Sequence, residues 1–152
     1  MKGLLRDIVY GLYRLLGGQG VGFLATPKPT GTIDIYEASS IILDKLEEMG
    51  DTQSGLYLPD LLIKVYKKED VIDYLMLDEI DEIPYIAEEM DCDDFSALLY
   101  GKFAGLIWTN VHALNWFIDD SKTLWFIEPQ SDKIARNLES WQGWESQFLL
   151  GR

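Results

Sequence analysis

The chain has 152 residues but only one cysteine, one histidine, and 13 lysines and arginines against 26 aspartates and glutamates. A lone cysteine forms no internal disulfide, so an oxidising compartment is not demanded. One cysteine and one histidine also exclude a Cys/His zinc site. The formal net charge of −13 argues against nucleic acid, whose phosphates need lysine and arginine, and disfavours anionic membrane surfaces. Divalent cations and basic partners remain open. No stretch is long and apolar enough to span a bilayer. The N-terminal MKGLLRDIVYGLYRLLGG is interrupted by Arg6, Asp7 and Arg14, so it lacks the clean apolar core of a signal peptide, and a cytoplasmic location is expected. There is no internal repeat or low-complexity run.

What is present is enough for a core. The composition is 47% hydrophobic and 12% aromatic, which fits one folded domain over residues 1–152. Apolar residues at helical spacing predict an amphipathic helix over residues 4–16, closed by Gly17 and Gly18. The Gly/Pro/Thr-rich residues 18–34 read as a long loop or arm. A helix follows, ending at Gly50. LLIKVY at 61–66 reads as a strand. The stretch 67–83 reads as a helix with Val71, Ile72, Leu75, Met76 and Ile80 on its core face, and its acidic surface reads as solvated. From Asp93 a helix carries Phe95, Leu98, Leu99 and Phe103. GLIWT, VHALNWFID and TLWFIEP then follow period two, the last two joined by a hairpin turn at DDSK. Residues 131–141 read as one more helix, and the rest as a tail. Helices followed by an antiparallel sheet predict an α+β fold, with residues 1–60 as an N-terminal helical and extended region and 61–135 as the core.

The only cysteine stands in the sequence Asp91-Cys92-Asp93-Asp94-Phe95, at the predicted start of a helix. Helix N–H groups and the helix dipole favour a thiolate there, although neighbouring carboxylates oppose it. A thiol nucleophile needs a base and the base an orienter. The one histidine, His112, begins a predicted strand, and Glu128 ends the next. A turn at Asp119–Ser121 pairs residues whose numbers sum to about 240, which sets His112 and Glu128 side by side on one face. Asn115 is an alternative third member, but alternation points it to the opposite face. The Cys92 backbone N–H and Gln130 are candidate oxyanion donors.

In this order DCDDF, HALN at 112–115 and IEPQ at 127–130 resemble papain-like cysteine peptidases. They are most similar to the protease domain of the fairy-ring mushroom agglutinin and its bacterial and phage relatives, and more distantly to NlpC/P60 cell-wall peptidases. The resemblance spans roughly residues 83–135. It implies a papain-like fold, helices on a small antiparallel sheet, and a peptidase or amidase with a thioester intermediate. In that scheme Cys92 is the nucleophile, His112 the base and Glu128 the orienter, acting on a peptide or protein substrate. No cofactor is required, though the agglutinin type implies calcium at Asp91, Asp93 and Asp94. The 20-residue spacing from Cys92 to His112 is short for papain-type enzymes. A homodimer is allowed.

The plainer readings are a structural buried thiol at Cys92, a core histidine at His112, and tryptophans that line core and cleft. The rival function is a non-enzymatic acidic binding protein, of the kind that neutralises a basic toxin, or a degenerate scaffold of the same fold.

Overall fold

The computed structural model describes residues 26–143 and 145–152, with Ile8 and Leu12 ahead of them. Those two are helical and exposed. The rest of the predicted helix over residues 4–16, and residues 18–25 of the predicted loop, lie outside the described residues.

The architecture is α+β, with three helices and eight strands among the described residues. Strand β1 (Pro29–Asp34) leads directly into α1 (Ile35–Glu48). Asp34 caps that helix by accepting the Glu37 N–H at 2.9 Å, which satisfies one otherwise free donor of the first turn. Past its end Gly50 takes φ +85°, a conformation glycine reaches without Cβ strain. Next come β2 (Gly55–Tyr57), β3 (Leu62–Tyr66) and α2 (Lys68–Leu77). The third helix, α3, is Cys92–Tyr100. The remaining strands are β4 (Gly105–Thr109), β5 (Ala113–Ile118), β6 (Leu124–Glu128), β7 (Lys133–Ala135) and β8 (Ser146–Leu150).

Six strands form one sheet in the order β2-β8-β4-β5-β6-β7. Only β2 and β8 run parallel; the other pairs are antiparallel. Strands β1 and β3 make a separate two-stranded antiparallel sheet. The large sheet is covered on both faces. On one, Leu114, Trp116, Ile118 and Phe126 pack against Ile42, Leu46, Ile63 and Val65 of α1 and β3. On the other, Phe117 and Ile127 pack against Val71 and Leu75 of α2 and Phe95 and Leu99 of α3. All six residues of β5 are therefore buried. Each large apolar side chain taken fully from water contributes roughly 1.5–3 kcal/mol, and successive residues of β5 serve opposite cores.

Several expectations need correction. Residues of β1 and α1 pack in one apolar cluster with β3, β5 and β6, and the expected tail holds β8, which lies inside the sheet between β2 and β4. Part of the predicted loop over 18–34 is strand β1, fixed by pairing with β3. Residues 131–141 form β7 and a short 3-10 turn at Ser140–Gln142 instead of a helix, because Lys133, Ile134 and Ala135 take ladder partners on β6. The helix predicted over 67–83 ends at Leu77, with a 3-10 turn at Ile80–Glu82. Its buried residues are Val71, Tyr74 and Leu75, while Ile72 and Met76 face solvent.

Candidate functional site

The turn between β4 and β5 sets His112. Thr109 donates its N–H to the His112 carbonyl at 2.8 Å, and its hydroxyl oxygen accepts the His112 N–H at 3.0 Å. The same hydroxyl donates to the Gln142 carbonyl, tying this turn to the segment before β8. Gly143, at φ +82°, makes the close approach possible: a Cβ there would run into Asn110, and would stand 2.9 Å from the Thr109 hydroxyl.

That docking assembles a buried polar network. His112 Nε2 lies 2.7 Å from Glu128 Oε2. Gln142 Nε2 donates to the same oxygen at 2.9 Å, and its Oε1 accepts the Glu139 N–H at 2.8 Å. The His112 and Glu128 side chains are 8% and 5% exposed, so both charges and dipoles rely on one another instead of water. Behind Glu128 and Gln142 is a cavity of about 10 Å³ also lined by Lys133 and Asn137, room for about one water. Trp141 lies over the histidine, ring centroids 5.0 Å apart, and its Nε1 donates to Glu139 Oε2 at 2.6 Å. Trp141 is itself 54% exposed.

The pairing of His112 with Glu128 was expected, but through a different register. Asn115 opposes Ile127, so paired numbers sum to 242 and the two residues meet diagonally. A shift of two residues preserves the face. Asn115 is on the other face, fully buried, and its Nδ2 donates to the Ser96 and Gly105 carbonyls at 2.9 and 3.0 Å. It fastens α3 to the sheet and is no third member of the His112 pair. Gln130 offers its backbone N–H toward Glu128 Oε1 at 3.5 Å, a long contact. Trp141 and Gln142 were not anticipated: Trp141 ends the stretch with helical spacing and Gln142 begins the expected tail, and nothing in the local pattern announces the loop.

Cys92 is the first residue of α3 and half-buried. Asp91 and Asp94 form a reciprocal capping box around it, with the Asp91 N–H donating to Asp94 Oδ2 at 3.1 Å. Burial pushes the thiol above its ordinary range, Asp91 and Asp93 push it further, and the Ala113 N–H only partly offsets them. No hydrogen bond joins the sulfur to the His112 ring among the described residues. The two acidic neighbours shift in opposite directions: the side-chain hydrogen bond between them lowers Asp91 and raises Asp93. Ligand atoms of Asp91, Cys92 and Asp93 lie within 4.8 Å of one another, while Asp94 is turned to the cap. Two carboxylates supply at most four of the six to eight oxygens that calcium takes, so backbone carbonyls and waters would have to complete a site here.

No helix among the described residues is long and apolar enough to cross a membrane. No family model matches the chain, and no curated protein matches it. Solved structures do. One, described as a PSL1a-E64 complex, superimposes with a TM-score of 0.64 at 22% identity, over 78% of this chain and 51% of that one. Another is a Polyporus squamosus lectin bound to the epitope Neu5Aca2-6Galb1-4GlcNAc, with a TM-score of 0.60 at 21% identity, over 77% of this chain and 49% of that one. The chain thus shares a fold with these proteins and spans about half their length. The description of the second as a lectin overturns the expectation of a papain-like or NlpC/P60 cysteine peptidase. It corrects with it the hydrolase activity, the thioester intermediate and the peptide substrate.

Proposed function

We propose that this chain is a non-enzymatic binding protein that receives a polar, hydroxyl-rich ligand such as a saccharide beside Trp141. The observation that carries this reading is the indole itself. Its ring lies beside the tilted His112 ring and its Nε1 donates to Glu139, yet more than half of it faces water. A fixed aromatic face next to convergent polar groups is what an amphipathic ligand stacks on. Glu139 stands at the edge of the indole, and the network of His112, Glu128 and Gln142 lies beside it. Two further observations support the reading. Burial, with Asp91 and Asp93, pushes the Cys92 thiol above its ordinary range, the opposite of the shift that activates a nucleophile. One protein of the same fold is described with a bound sugar.

The test is calorimetric titration of the purified chain with Neu5Aca2-6Galb1-4GlcNAc and with neutral oligosaccharides. Saturable binding that weakens about tenfold in Trp141→Ala, by loss of one stacking contact, is expected, with the circular dichroism unchanged. Absence of binding across a broad glycan panel overturns the saccharide reading. Hydrolysis of a peptide or protein that disappears in Cys92→Ser overturns the non-enzymatic one.

A further inference from the structure

The excess charge of this protein is not spread over it. Residues 69–101 contain 12 of the 26 acidic residues and no lysine, arginine or histidine. The other residues are nearly balanced, with 14 acidic against 13 lysines and arginines. Within this stretch the outer face of α2 carries Glu69, Ile72, Asp73 and Met76, spaced as one helical stripe. Ile72 is 36% and Met76 46% exposed, although the apolar period of the sequence assigns both to the core. Lys68, at the start of the helix, does not neutralise this face: its ammonium sits 3.6 Å from the Trp125 ring centroid. Of the ion pairs among the described residues, none engages Glu69, Asp70, Asp73, Glu88 or Glu89. The segment between α2 and α3 adds Tyr85 and Ile86, both about half exposed. Its Ile83 and Met90 pack on the same apolar cluster as Val71 and Leu75, which keeps both segments on one side of the sheet.

From this juxtaposition we infer that the outer face of α2, with the segment leading to α3, is a docking surface for a basic amphipathic segment of a partner protein. Lysines and arginines of the partner would meet the unpaired carboxylates, and its apolar residues would cover Ile72 and Met76. A helix laid along a helical face presents anchors at matching spacing. The one-sided charge speeds encounter and rejects acidic competitors. The apolar pair separates this surface from a merely solvated acidic one, since charge alone gives no reason for Ile72 and Met76 to remain uncovered. The inference stands apart from the ligand site at Trp141, on different elements and with a different class of partner.

The experiment is an NMR titration of the isotope-labelled full chain with a helical Leu/Lys peptide of about 18 residues, five turns long, beside a lysine-only peptide of equal charge. Expected is a footprint on Ile72, Met76 and residues 79–89. Expected too is affinity for the Leu/Lys peptide about tenfold above that for the lysine-only one, an advantage lost in Ile72→Ser/Met76→Ser. That exposed pair can be changed without opening the core, and the wild-type footprint stands independently of the variant. Equal binding of the two peptides, a footprint elsewhere, or full affinity in the double variant overturns the proposal. So does calcium alone shifting the same resonances while neither peptide binds.

Discussion

Glu128 Oε2 accepts from two partners at once: it lies 2.7 Å from His112 Nε2 and 2.9 Å from Gln142 Nε2. One buried carboxylate oxygen therefore joins the β4–β5 turn, the end of β6 and the segment before β8. Removing it leaves two buried donors without an acceptor. Glu128→Ala is expected to lose about 3 kcal/mol of stability. Glu128→Gln keeps the shape and an acceptor oxygen, and should lose about half as much. Urea denaturation of both variants checks this. A Glu128→Ala protein as stable as wild type would show that the network does not hold these segments together.

The contact between His112 and Glu128 was legible in the sequence for a robust reason. The face on which a strand residue lies depends on parity alone, so an error of two in register changes the partner directly opposite but leaves the pair neighbours. The same parity separates Asn115 from them. What the sequence concealed depends on distant pairing. Residues 133–135 have helix-compatible spacing and become strand only because β6 offers a free edge. Strand β8 is inserted between β2 and β4, and no local pattern announces a tail that ends inside a sheet. Gln142 and Trp141 reach the site through a glycine at positive φ, a feature visible only once Asn110 is seen to press on it. The motif around Cys92 correctly marked a helix start. Its chemistry depends on what surrounds the sulfur, and burial with two carboxylates was not weighed by the motif itself.

Gly105 begins β4, and a Cβ added there would run into the indole of Trp116. That indole is fixed, because its Nε1 donates to the Leu106 carbonyl at 3.0 Å and its ring fills the core. Gly105→Ala must move the strand or the ring, and overpacking of this kind costs about 1–3 kcal/mol. A lowered urea midpoint with an unchanged slope is expected. A variant of wild-type stability would mean that Trp116 has another place to go.

Asp78 is 5% exposed and ends α2. One of its oxygens accepts the Ile80 N–H at 2.8 Å, and the other is buried without a partner. Burial pushes its carboxyl up to about 6, with Asp81 and Glu79 adding to the shift and Lys102 opposing it. The unfolded chain releases this proton near pH 4. Between about pH 4 and 6 the folded protein therefore holds a proton that the unfolded one has lost, and stability falls as pH rises through that window. Asp78→Asn keeps the bond to Ile80 and removes the titration. It should flatten this limb and stabilise the protein by about 1–3 kcal/mol at pH 8 relative to wild type. Urea midpoints measured from pH 4 to 8 on both proteins check the sign, and a wild-type stability that rises across the window would refute it.

The Cys92 thiol supplies the sharpest test of the whole reading. A helix N-terminus ordinarily lowers a thiol's pKa, but here the opposing influences win. Burial disfavours the thiolate, Asp91 and Asp93 repel it, and only the backbone donors at Ala113 and Cys92 itself favour it. Part of the helix's N–H field is already taken by the Asp91–Asp94 capping box. The half-point for iodoacetamide alkylation should therefore lie above the free-thiol value of about 8.5, and it should not move in His112→Ala. Because the folded thiol holds its proton longer than the unfolded one, stability should also fall as pH rises beyond that value, and Cys92→Ala should remove this alkaline limb. A half-point well below 8.5 that returns to normal in His112→Ala would instead reveal a thiolate paired with the imidazole. The binding-protein reading would then give way to thiol chemistry at this site.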